Sequence, residues 1–151
     1  MSNTDKIEKQ IILKAPRSRV WRAITDYKEF GTWFRAKMET PFVVGKIAHG
    51  QITYPGYEHL KLEALVETMD PEHTFVFRWH PGSDAQNLSF DKDPTTRVEF
   101  RLDDAPGGGT RLTLVESGFD ALPPALREKA FRDNDGGWTE QMKNIEAHVG
   151  G

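Results

Sequence analysis

Between residues 125 and 149, apolar side chains at Phe131, Trp138, Met142, Ile145 and Val149 recur at steps of seven, four, three and four. That spacing places them on one stripe of a single long α-helix, and the stripe has to be buried. At 1.5 Å per residue such a helix is on the order of 35 Å long, enough to cross six or seven strands spaced about 4.8 Å apart. The rest of the chain should therefore supply a sheet. Two features break the stripe: Asn134 occupies one of its positions, and Gly136-Gly137 leaves bare backbone mid-helix, where each glycine costs about 1 kcal/mol relative to alanine.

The sheet is legible upstream. Residues 6–14 alternate polar and apolar at Ile7, Ile11 and Leu13 before Ala15-Pro16, which reads as a first strand ended by proline. A helix with Val20, Trp21 and Ile24 on one face follows, and Asp26 with Glu29 forms a capping-box pattern for a second helix over residues 27–34. That second helix carries Phe30, Trp33 and Phe34 where a DNA-reading helix would carry polar groups. From residue 38 the period is two. Strands are expected over 38–44, 46–53, 58–69, 74–80, 95–102 and 110–117, joined by short turns and hence antiparallel. Residues 81–94 are polar and aperiodic yet include Leu88 and Phe90, so they read as a functional lid or as a disordered connection.

This order predicts an α+β domain over residues 6–149, with a ragged N-terminus at 1–5, in which a curved antiparallel sheet wraps around the C-terminal helix. A twisted sheet curling round a helix leaves a wedge between them that can hold a ligand. Cysteine is absent, which excludes disulfide and thiol chemistry, and no long apolar run is present. The expected location is the cytoplasm, without membrane insertion. A net charge of −3 with dispersed basic residues argues against nucleic acid as a partner. The chain has four Trp and nine Phe, so a few large rings carry most of its apolar surface and can either wall a cavity or fill a core.

Strand parity singles out one candidate. Glu116 shares the parity of Leu112 and Leu114, so its carboxylate points toward the long helix. It would serve as a general acid or base, or as a ligand contact, unless a bulge near Ser117-Gly118 turns it outward or a core Arg or Trp N–H satisfies it. Asn134 is the natural facing group, with Gln141 at the edge of the same helix face. The Gly136-Gly137 pair either lets the helix approach the sheet or makes room for a ligand. The five histidines show no metal-binding spacing, no nucleophile elbow exists, and Gly107 to Gly109 form a hairpin turn rather than a phosphate loop. No metal and no cofactor is expected.

The run Ile11-Leu13-Ala15-Pro16, then Val20-Trp21-Ala23-Ile24-Thr25 and Trp33-Phe34, resembles the opening of the START-like or SRPBCC superfamily, the helix-grip fold. Phe75-Val76-Phe77-Arg78-Trp79, the stretch from Gly108 to Phe119 and the Gly137-Trp138 pair are similar to the branch named after the activator of the heat-shock-protein-90 ATPase. The resemblance implies a sheet gripping the C-terminal helix over a hydrophobic cavity. Its relatives include lipid and hormone carriers, polyketide cyclases and co-chaperones, so the fold alone does not choose a function. The reading that follows is a binding protein, monomeric or homodimeric, for a small apolar molecule such as a lipid, polyketide or aromatic compound. Trp21, Phe75, Phe77, Trp79, Phe100, Leu112, Leu114, Trp138 and Met142 would form wall or core, and Glu116, Asn134 and Gln141 would orient the ligand. The alternatives are a cyclase- or hydratase-like enzyme using Glu116 in the same cavity, and an interaction module acting on a chaperone.

Overall fold

In the computed structural model, which describes residues 5–81 and 90–150, seven antiparallel strands form one sheet in the order β1-β7-β6-β5-β4-β3-β2. The strands are β1 (Lys6–Leu13), β2 (Ala36–Met38), β3 (Ile47–Ile52), β4 (Lys61–Asp70), β5 (Thr74–Trp79), β6 (Thr96–Asp104) and β7 (Thr110–Ser117). Three helices accompany them: α1 (Arg17–Thr25), α2 (Tyr27–Phe34) and α3 (Pro124–Val149). This is the helix-grip α+β arrangement. The chain leaves the far edge of the sheet through α1 and α2, returns strand by strand from β2 to β7, and pairs β7 back onto β1.

Local chemistry sets the boundaries. Pro16 precedes α1 in an extended conformation and its carbonyl accepts the amides of Arg19 and Val20, so the first turn closes without a side-chain cap. Asp26 caps α2 by accepting from the amides of Lys28 and Glu29. The second half of the expected capping box does not form, because the Glu29 carboxylate reaches across to Arg19, Arg22 and His148 instead. Arg35 ends α2 in the left-handed conformation (φ 66°), which turns the chain abruptly into β2. Close approach there requires glycine at position 31, where a Cβ would lie 2.2 Å from the Ala36 carbonyl oxygen.

Two expectations need correction. The strand read over 38–44 ends at Met38, because Thr40 turns its hydroxyl to accept the His49 amide and the chain then loops through Phe42 to the turn at Gly45. The strand read over 58–69 starts only at Lys61, because successive turns, in which the Tyr57 amide donates to the Tyr54 carbonyl and the Leu60 amide to the Tyr57 carbonyl, occupy the residues before it. The connection over 81–94 lies largely outside the described residues.

The core is a ring network. Phe30, Trp33, Phe42, Phe75, Phe77 and Phe100 are buried and meet pairwise at centroid separations of 5.0 to 6.5 Å. These distances are those of packed aromatic pairs, so the rings fill most of the wedge between helix and sheet. Helix α3 buries Ala130, Trp138, Met142 and Ile145, with Phe131 and Val149 half-buried on the same core. Its polar flanks are tied on both sides. Lys9 of β1 pairs with Asp135 at 2.9 Å, Gln141 donates to the Phe34 carbonyl at 3.0 Å, and His148 meets Glu29 at 2.9 Å. Of the described helices, none is long and apolar enough to cross a membrane.

Candidate functional site

Glu116 does point inward. It sits opposite Ile7 of β1 and Val98 of β6, and no part of it is exposed. A carboxylate so placed is tolerable only if its lone pairs are filled, and four side chains fill them. Trp138 Nε1 donates to Oε1 at 2.8 Å, Trp79 Nε1 to Oε2 at 2.8 Å, and the Thr96 hydroxyl to Oε2 at 2.5 Å. Asn134 Nδ2 lies 3.0 and 3.1 Å from the two oxygens. Every partner is a neutral donor, which suits the acceptor-only carboxylate.

The four donors come together through regular geometry. Trp79 and Thr96 are directly paired across β5 and β6, and Thr96 lies diagonal to Glu116 on β7. Asn134 and Trp138 are one helical turn apart on α3 and so present one face. The result pins helix to sheet at a single polar point inside an aromatic core. The indoles of Trp79 and Trp138 stack beside that point at 5.8 Å and 28°, and Phe34 packs against both at about 6 Å.

Outside this cluster the wedge is open. A cavity of about 130 Å³ is lined by Phe34, Trp79, Asn134, Gly137, Trp138 and Gln141. It shares Phe34, Trp79 and Asn134 with a larger cleft of about 300 Å³ that runs between α3 and the β3–β4 end of the sheet, past Ile52, Tyr57, Leu60 and Leu62. Small-molecule sites usually measure about 300–1,000 Å³, so the cleft is of usable size; the smaller cavity is its inner end in that it is the part lined by both Trp138 and Asn134, which touch Glu116. Glycine is not required here by crowding. A Cβ at Gly136 or Gly137 would meet no heavy atom within 4 Å.

The residues singled out in the sequence divide into three groups. Trp79, Asn134, Trp138 and Gln141 line the inner cavity, and Glu116 lies directly behind it. Phe75, Phe77, Phe100, Leu112, Leu114 and Met142 are buried core residues. Trp21 packs half-buried against the core from α1 and is not among the residues lining either cavity. Sequence reasoning missed Thr96, whose inward parity with Val98 and Phe100 was readable, and Phe34, which ends α2 one turn after Phe30 and stacks on it at 4.8 Å. It also missed Tyr57 and Leu60: Leu60 fell inside the strand expected over 58–69, whereas β4 starts at Lys61 and leaves both residues in the loop before it. No group of three metal-ligating side chains occurs among the described residues.

Comparison with known proteins follows the same outline. The family model described as Activator of Hsp90 ATPase homolog 1-like protein matches residues 14–150. A search of curated proteins gives no match. Among solved structures, a protein from Mesorhizobium loti superposes with a TM-score of 0.74 at 21% identity, covering 95% of this chain and 96% of its own. The Aha1 dimer from Colwellia psychrerythraea gives 0.71 at 15% identity, with 95% of each chain covered. DynU16, a protein of the dynemicin biosynthetic locus, gives 0.73 at 19% identity over 96% of this chain and 47% of that one, so this chain spans about half of it.

Proposed function

Because the chain belongs to the family of Activator of Hsp90 ATPase homolog 1-like proteins, whose helix-grip fold leaves a wedge beside the last helix, we propose that it binds a small apolar or aromatic molecule in the cleft beside α3. The observation that carries this reading is the bare backbone at Gly137 beside the Phe34, Trp79 and Trp138 rings. Glycine mid-helix is costly, and no neighbouring atom in the protein demands it there. A ligand lying against the rings would use the space. A fold neighbour from a biosynthetic locus is in keeping with a small-molecule ligand.

The geometry favours binding over acid–base catalysis by Glu116. Its oxygens already accept from four side chains and it has no exposed surface, so a substrate proton would reach it only after a partner had left. The test is a substitution that fills the cavity without touching the core. Gly137→Phe should leave folding intact and abolish the quenching of Trp emission that lipid, flavonoid or polyketide ligands produce in the parent protein. Unchanged ligand response in Gly137→Phe would place the site elsewhere, and a broad library giving no response in the parent would sink the reading.

A further inference from the structure

Resting on that cleft as the ligand site, the geometry points to the ligand's class: a flat aromatic molecule that carries a hydrogen-bond donor, such as a phenolic hydroxyl, an aromatic amine or a ring N–H, and no anionic group beside it.

The orientation of one amide decides this. Glu116 can only accept, so Asn134 must turn its nitrogen toward the carboxylate, and it does so within hydrogen-bond distance of both oxygens. Its Oδ1 is thereby turned away. That oxygen has no hydrogen-bond partner among the described residues, and no partnerless side-chain oxygen or nitrogen among them is sealed from solvent, so Oδ1 is open to whatever enters. Asn134 lines both the inner cavity and the outer cleft. The other polar atoms of the inner cavity each have a protein partner. Both indole nitrogens donate to Glu116, while Gln141 donates to the Phe34 carbonyl and accepts from Asn144. What sets the inner cavity apart for a ligand is therefore its aromatic surface and the Asn134 oxygen, an acceptor that none of the described residues engages.

Charge strengthens the preference. Glu116 is fully buried and touched only by neutral donors, so its negative field is not cancelled at contact and extends through Asn134 into the cavity. Lys61 and Lys129 stand at the outer cleft, and Lys129 is paired with Asp133 at 2.6 Å. An anion at the inner end would meet the carboxylate's field and an acceptor. A donor would be drawn to both.

The full-length chain can be titrated by calorimetry with four bicyclic probes of matched shape: 2-naphthol, 2-aminonaphthalene, 2-methoxynaphthalene and 2-naphthoate. One hydrogen bond to the acceptor should make the two donors bind about tenfold tighter than the methyl ether, with the naphthoate weakest. Asn134→Leu should abolish the difference in affinity between naphthol and its ether. Should that variant not fold, the ranking in the parent protein still decides. Equal affinity for naphthol and its ether, or tightest binding by naphthoate, overturns the donor class and leaves the cleft as the site. Binding by none of the four overturns the aromatic donor class, and the cleft as a site is then decided separately by the broad library and Gly137→Phe.

Discussion

At the scale of single residues, Glu116 bears most of the polar cost of this interior. Replacing it with Gln puts an amide where two oxygens now receive indole, hydroxyl and amide donors, so at least one buried donor must face another donor. The expected loss in unfolding free energy for Glu116→Gln is about 3 kcal/mol, since unsatisfied buried donors cost about 1–3 kcal/mol each. Urea denaturation would measure it, and a loss below 1 kcal/mol would mean that the cluster holds helix and sheet together only weakly. The inward direction of Glu116 was legible from parity with Leu112 and Leu114, and satisfaction by Trp N–H groups was among the readings open from sequence. Which donors converge was not legible. Alternation assigns a side chain to a face, but the direction of an indole N–H depends on rotamers fixed by Phe34 and the facing helix. Thr96 and Trp79 reach Glu116 only because β5, β6 and β7 are adjacent in a register that no local pattern encodes.

Elements were easier to read than contacts, and the reason is periodicity. The α3 stripe, β7 and α2 were legible to within a residue because their apolar residues keep the helix or strand period, in α3 even across the breaks at Asn134 and Gly136-Gly137. Residues 38–44 misled because Met38, Phe42, Val43 and Val44 look strand-like while Thr40 and the Gly45 turn divert the chain. On α3 the glycine pair makes a separable prediction. Gly136→Ala should raise stability by about 0.5–1 kcal/mol, because alanine restricts the unfolded chain and its Cβ meets nothing in the helix surroundings. For a domain of this size that is a rise in Tm of a few degrees, about 2–4 °C per kcal/mol. A fall in Tm on differential scanning calorimetry would show that the bare backbone is needed by the fold itself. The same change at Gly137 should combine the stability gain with weaker ligand binding, since that position lines the cavity.

Over the whole molecule, three helices are held as one unit by the group around Glu29. Burial alone would raise the Glu29 pKa, but hydrogen bonds from His148 and Arg19 and the charges of Arg19 and Arg22 outweigh it, and the net shift is downward. A carboxylate with a lowered folded-state pKa contributes stability that is complete above its unfolded value and is lost as pH falls through the folded one. Glu99, between Arg97 and Arg101 on the sheet, is lowered for the same kind of reason, with hydrogen bonds and charge overcoming burial. Tm should therefore hold near neutrality and decline below the ordinary carboxylate pKa of 4.5, and Glu29→Gln should flatten part of that decline while lowering Tm at pH 7. An acid profile identical to that of the parent chain would remove Glu29 from the account.

The stacked indoles have a consequence of another kind. Trp79 and Trp138 are held nearly parallel at 5.8 Å because both donate to one carboxylate. Two chromophores so close and so fixed share their electronic excitations, so the pair should contribute a split, opposite-signed band to the far-ultraviolet circular dichroism. That band depends on the angle between the rings and therefore on the seating of α3 against the sheet. The grip of sheet on helix thus has an optical signature in the native chain, one that needs no label and is lost when the two indoles part.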